Sequence, residues 1–433
     1  MSSKFLNLKQ TKSQSLSKIQ GYCARTVDTK LSTNFTLFCM LYFFAFSVIY
    51  RRGFLLNYGF PFNSFLPAPV TLGGDFFGVF DIWKLNAGFG GVGYGASYFP
   101  GLYIFIELMT MISQDSWFGL KLLWICYLIT ISVLTFLFLR SCGLITSVMG
   151  LTIILFSYPS LIALHTGNIE MLVCILLFGG AVSAYEKKWT LFSICIGTAT
   201  SFKGFPGIFV LAPFLLTNKK AAIKSLFSSV KTSLFLTSLA IFLLPGGIRD
   251  KGFGSFSNLV RSLVQSQQMY EDLMVTGVPG IHFGHSLLNG VHAVMGMGFL
   301  PSEIWAYPIM AIGVVWTVTS FYLLRNSYPP IWLIFGFLGC SGCIFAPTST
   351  DYKLFYILPA ILLYIRESDS LLRSKFMICL LIVSIVPKPY LYVGNNQFTN
   401  ANVWLTPITL LIFQICALSF LLSKKQNKER VNQ

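Results

Sequence analysis

Apolar runs alternate with short polar stretches from Leu31 to Leu422, and the candidate spans are 31–50, 118–139, 144–163, 169–186, 190–202, 204–217, 228–246, 304–324, 329–346, 352–365, 375–387 and 403–422. Lipid hydrogen-bonds to no backbone group, so apolar segments of this kind are read as helices that satisfy their own amides. The pattern predicts an all-α polytopic membrane protein with about twelve transmembrane helices. Tyr98 to Ile112 is also apolar, but at about fifteen residues it falls short of the roughly twenty needed to cross. Runs 190–202 and 204–217 are short as well, and they meet at Lys203.

Composition agrees with the pattern: of 433 residues, 55% are hydrophobic and only 11% charged, too few charges to cover a water-soluble domain of this length. The net charge of +16 does not point to nucleic acid. A nucleic-acid binder gathers Lys and Arg on one face of a domain, whereas here they stand in small groups between apolar runs, as the positive-inside bias demands. With a basic N-terminus inside and Tyr98 to Ile112 not crossing, Arg140, Lys187-Lys188, Lys219-Lys220-Lys224, Arg325, Arg366-Arg373 and Lys424-Lys425-Lys428-Arg430 all fall in the cytoplasm. If that stretch crossed, nearly all of them would move outside, so it reads as a re-entrant or interfacial helix. The expected organisation is a basic tail 1–30, a membrane domain 31–423 with long outer loops 51–97 and 247–290, and a basic tail 424–433. The chain then sits in the plasma (inner) membrane as a multi-pass protein, both termini cytoplasmic.

Ten cysteines lie mostly within the apolar runs, where a free thiol behaves as a small hydrophobe. Cys340 and Cys343 have metal-like spacing but no second pair, and His165, His282 and His285 form no HxxxH or HExxH pattern. No metal or other cofactor is expected. Polar chemistry belongs in the outer loops, which hold much of the acid, His and Gly content. The first carries Gly73-Gly74-Asp75 and a Gly-rich segment, Gly88 to Gly95, that lacks the context of a phosphate loop. Lys203 is the other landmark. Short or broken helices meeting at an ionisable residue mark substrate cavities in membranes, and a lysine there needs water or an anion.

In order along the chain, these landmarks resemble the GT-C superfamily of membrane glycosyltransferases, and within it the family-87 polyprenyl-phosphate-sugar-dependent mannosyl- and arabinofuranosyltransferases. The resemblance runs from about Asp75 to Pro359. Asp75 and Phe80 stand where that family has an Asp early in the first outer loop and an aromatic a few positions on; Tyr98-Phe99-Pro100-Gly101 matches its Tyr-Pro-Pro. Gly167-Asn168-Ile169-Glu170 stands for Gly-Gln-x-Asn, Lys203-Gly204-Phe205-Pro206 for Lys-Pro, and Ala346-Pro347-Thr348-Ser349-Thr350-Asp351-Tyr352 for the later Ser-Pro segment. The departures are the Asn-x-Glu, the displaced proline after Lys203, and glycine at 101.

The resemblance implies a GT-C-like architecture with a long first outer loop. It also implies an enzyme that transfers a hexose or pentose from a polyprenyl-phosphate donor to a glycan or glycolipid acceptor on the outer side. Such transfer needs a base for the acceptor hydroxyl and cations for the departing phosphate. Asp75, in the position of the family's catalytic Asp, is the expected base. It reads otherwise as a helix cap, and Asp81 is the alternative base unless it pairs with Lys84. Lys203 is the first choice for the donor phosphate, ahead of Lys353, Arg249 and Arg261. Glu170, Asn168, Tyr98, His165 and Tyr352 complete the expected substrate-binding set. The competing readings are a flippase or transporter of lipid-linked saccharides and a polymerase or ligase of O-antigen type.

Overall fold

The computed structural model describes residues 72–85, 98–252, 254–271, 284–295, 302–324, 327, 329–346, 349, 351–367, 372–386, 392–393, 399–400 and 402–431. The first candidate span, 31–50, the segment 88–95 and His282 lie outside them. The regular secondary structure of the described residues is helical apart from a two-residue antiparallel pair, Tyr392–Val393 with Thr399–Asn400.

The helices follow in order: α1 (Gly74–Leu85), α2 (Pro100–Ile112), α3 (Ser116–Leu139), α4 (Leu144–Leu155), α5 (Tyr158–Thr166), α6 (Glu170–Tyr185), α7 (Trp189–Phe202) and α8 (Pro213–Leu216). Next come α9 (Lys219–Leu243), α10 (Ile248–Lys251), α11 (Gly254–Glu271), α12 (Leu287–Met295), α13 (Ser302–Leu324), α14 (Ile331–Ile344), α15 (Leu358–Glu367), α16 (Leu372–Ile385) and α17 (Asn402–Val431). Local chemistry sets several starts. Asp115 accepts from Trp117 N–H ahead of α3, Asn218 accepts from Ala221 N–H ahead of α9, and Pro100 and Pro159 sit in first turns where no amide is missed.

By length and composition, four helices among the described residues can cross a membrane: Ser116–Cys142, Lys219–Leu243, Tyr307–Leu324 and Val403–Ser423. A fifth arises if α4 and α5, bent by 54° at their junction, count as one span. The expected count of twelve therefore rests on shorter apolar helices such as α6, α7 and α14. The run 204–217 is not a continuous α-helix. It is a 3-10 segment, Phe205–Leu211, followed by the short α8. The run 352–365 likewise begins as a 3-10 segment, Asp351–Ile357, before α15.

Contacts between helices fix which ends lie together. Helices α7 and α9 run parallel: Ser193 Oγ lies 2.8 Å from Ser225 Oγ, and four residues on in each, Gly197 packs against Ser229. At one end of the bundle, Phe138 of α3 meets Tyr185 of α6 edge-on, and the Arg366 guanidinium lies 5.6 Å from both rings and donates to Cys142. Arg140, Lys187, Lys188, Lys219, Lys220 and Arg366 thus share one end. At the other, Leu120 of α3 packs on Gly73 and Gly167. Helix α2 starts beside Phe202, where Phe99 N–H donates to the Phe202 carbonyl, and by Trp117 the chain has returned to the same end, where that ring packs on Phe77. Helix α2 therefore begins and finishes at one end of the bundle.

Candidate functional site

Two glycines bring the first acidic landmark to the rest. Gly73 and Gly167 have φ of 74° and 68°, and a Cβ on Gly167 would stand 2.5 Å from Leu120 Cδ1 and 3.3 Å from Gly73 Cα. Only glycines allow two left-handed turns to meet this closely. The contact is sealed by Gly73 N–H donating to the His165 carbonyl at 2.9 Å.

From that joint, Asp75 enters the first turn of α1, where an acid suits the helix N-terminus. It is not the cap residue. Its Oδ2 accepts a 2.8 Å hydrogen bond from Asn168 Nδ2. The Asn168 amide is oriented by its other end, because Oδ1 accepts from Glu170 N–H at 2.8 Å. Asn168 is 4% exposed and Glu170 fully buried. His165, half-buried at the end of α5, lies within the electrostatic reach of Asp75.

Glu170 opens α6, and its Oε1 pairs with Lys203 Nζ. Lys203 follows α7 in an extended conformation, φ −155° and ψ 128°, which turns its side chain out of the helix line toward Glu170. Its ammonium also lies 5.3 Å from the Tyr98 ring centroid. Tyr98 is brought there by the crossing of α2 over the end of α7. A Cβ at Gly101 would stand 2.5 Å from Ser201 Oγ, so no larger residue fits where the resembled family has proline.

Lys203 was expected as a lone charge awaiting an anion; in the structure Glu170 supplies the countercharge. Glu170 Oε2 is buried without a hydrogen-bond partner. Lys353, 2% exposed in the 3-10 segment after α14, sits 3.6 Å from the Phe205 ring centroid, repelled by Lys203 and attracted by Glu170. Lys203 thus pairs with the buried Glu170, and Lys353 lies buried nearby in the same electrostatic neighbourhood.

Asp75, Tyr98, His165, Asn168, Glu170, Lys203 and Lys353 are thus gathered. Tyr352 packs on the apolar core beside Lys353. Asp81, six residues after Asp75, is turned about 120° away around α1, and the Lys84 it was weighed against donates to the Gln114 carbonyl at 2.8 Å. Arg249 and Arg261 are exposed. Cys340 and Cys343 are buried free thiols, the latter donating to the Lys353 carbonyl. Sequence reasoning missed Phe205 beneath Lys353 and the Gly73–Gly167 joint.

The family profile of glycosyltransferase family 87 matches residues 104–347, from α2 past the end of α14. No curated protein and no solved structure matches the chain. The match takes in His165, Asn168, Glu170 and Lys203; Tyr98 lies just before it, Tyr352 and Lys353 just after, and Asp75 well ahead of it. It covers more than half of the chain, and on that ground, with its apolar helices, the protein belongs to glycosyltransferase family 87 and is a membrane glycosyltransferase.

Proposed function

We propose that the protein transfers a hexose or pentose from a polyprenyl-phosphate donor to a glycan or glycolipid acceptor, at the membrane face opposite its basic turns. One observation supports this reading: Asp75 is tied through Asn168 to Glu170, whose side chain pairs with Lys203, all at one end of the bundle. Asp75 takes the proton of the acceptor hydroxyl as its oxygen attacks the anomeric carbon. The bond from that carbon to the phosphate oxygen breaks, its electron pair stays on the phosphate, and Lys203 with Lys353 stabilises the growing negative charge.

The remaining residues divide the work of positioning. Asn168 orients Asp75, its Nδ2 donating to the carboxylate while its Oδ1 is held by the Glu170 N–H. Glu170 holds Lys203 between turnovers and offers its second oxygen to a donor hydroxyl. Tyr98 packs over Lys203 on the donor side, while His165 and Tyr352 line the approach. No cofactor enters the scheme.

The test is reconstitution in vesicles with a synthetic polyprenyl-phosphate sugar and a glycolipid acceptor, products read by mass spectrometry. Transfer by the native protein and its loss in Asp75→Asn support the proposal. Movement of the lipid-linked sugar across the bilayer without transfer, undiminished in Asp75→Asn, would replace it with the flippase reading.

A further inference from the structure

We infer that α11 lies flat in the bilayer surface, its outward apolar stripe seated at the boundary between headgroups and acyl chains. Its faces are partitioned three ways. Leu259, Ser262 and Ser266 are buried against the protein, with Leu263 packed on the core. Phe256, Val260 and Val264, spaced by one turn each, stand out at 48%, 43% and 51% exposure. Ser257, Arg261, Gln265 and Gln268 are exposed on the next flank round, with Met269 at its far edge, 38% exposed.

The face turned to the protein thus carries two serines, while the adjoining outward stripe carries a phenylalanine and two valines. In water that order would be reversed. A helix bordered by protein on one side, apolar side chains beneath and polar side chains above has the pattern of an in-plane interfacial helix.

Continuity with the lipid-facing surface names the occupant. Helix α9 is of spanning length and turns Phe227, Leu234, Phe235, Phe242 and Leu243 outward. The short α10 packs on both α9 and α11, so α11 starts where a lipid-facing helix has just ended. Arg249 and Arg261, exposed on this segment, reach the headgroup level by extending their stems.

An environment-sensitive fluorescent amino acid placed at Val264, and as a control at Gln268, in the full chain reconstituted in phospholipid vesicles tests the inference. Position 264 is expected to be quenched several-fold more by lipids carrying a nitroxide high on the acyl chain than by aqueous iodide, with the opposite order at 268. Iodide quenching of both positions would place the stripe in water and overturn the inference. Quenching of 264 by neither agent would also overturn it, because protein, from this chain or a second copy, would then cover the stripe.

Discussion

Asp75→Asn keeps the shape of the side chain and removes its basicity, so it separates chemistry from packing. Turnover should fall by on the order of 10²–10⁴, while the thermal midpoint stays near that of the native protein, since Asp75 is in neither of the ion pairs among the described residues. Near-normal turnover in Asp75→Asn would make the residue structural. Asn168→Ala deletes the donor to the carboxylate, and a hydrogen bond to a charged group contributes roughly 1.5–3 kcal/mol. Here kcat should drop roughly 10- to 100-fold with little change in KM for the acceptor; a rise in KM at constant kcat would return Asn168 to substrate binding. The lysine cluster makes an opposite-sign pair of predictions. Lys203→Gln should raise the donor KM, whereas Glu170→Gln, by adding a net positive charge, should strengthen inhibition by polyprenyl phosphate several-fold. Weakened polyprenyl-phosphate binding in Glu170→Gln would overturn the charge-balance reading.

At the scale of elements, the pairing of Glu170 with Lys203 was legible in the sequence and went unread. Both flank the turn at Lys187, Glu170 seventeen residues before it and Lys203 sixteen after, so two antiparallel helices folded about that turn bring them level. The broken geometry after Lys203 was foreshadowed by the shortness of its two apolar runs, and the end-to-end return of α2 by its length and by charge parity. What could not be read was the meeting of the left-handed turns. Gly167 caps α5 in the left-handed conformation usual for a glycine at a helix end, but nothing in the sequence shows that it meets Gly73 from a distant loop. Nor does a sequence show that Phe205 lies under Lys353. Gly167→Ala tests the joint: its backbone is in the left-handed region, where a Cβ costs about 1–2 kcal/mol, and Leu120 occupies the space besides. The variant should lose several degrees of thermal midpoint and lose transferase activity more than stability, because Asn168 and Asp75 would be pushed apart. Full activity with reduced stability would show that their contact does not set the rate.

Across the whole molecule, helix length and charge bear on where the proposed reaction would sit. Helix α6 runs from Glu170 at the site to Tyr185 beside the basic turn, and its 16 residues span about 24 Å at 1.5 Å each. The hydrocarbon layer is about 30 Å thick. If Lys187 and Lys188 mark one membrane surface, Glu170 would lie a few ångströms below the other, a depth within reach of the proposed lipid-borne phosphate. On the proposed orientation, the positive-inside bias puts the end grouping Arg140, Lys187, Lys188, Lys219, Lys220 and Arg366 in the cytoplasm. A membrane-impermeant maleimide applied to intact cells checks the assignment, with the native thiols as background. Lys188→Cys should stay unlabelled until the membrane is opened, and Arg249→Cys, beyond the far end of α9, should label at once. Labelling of Lys188→Cys from outside would invert the molecule, and the Asp75 site would then draw its donor and acceptor from the cytoplasmic leaflet.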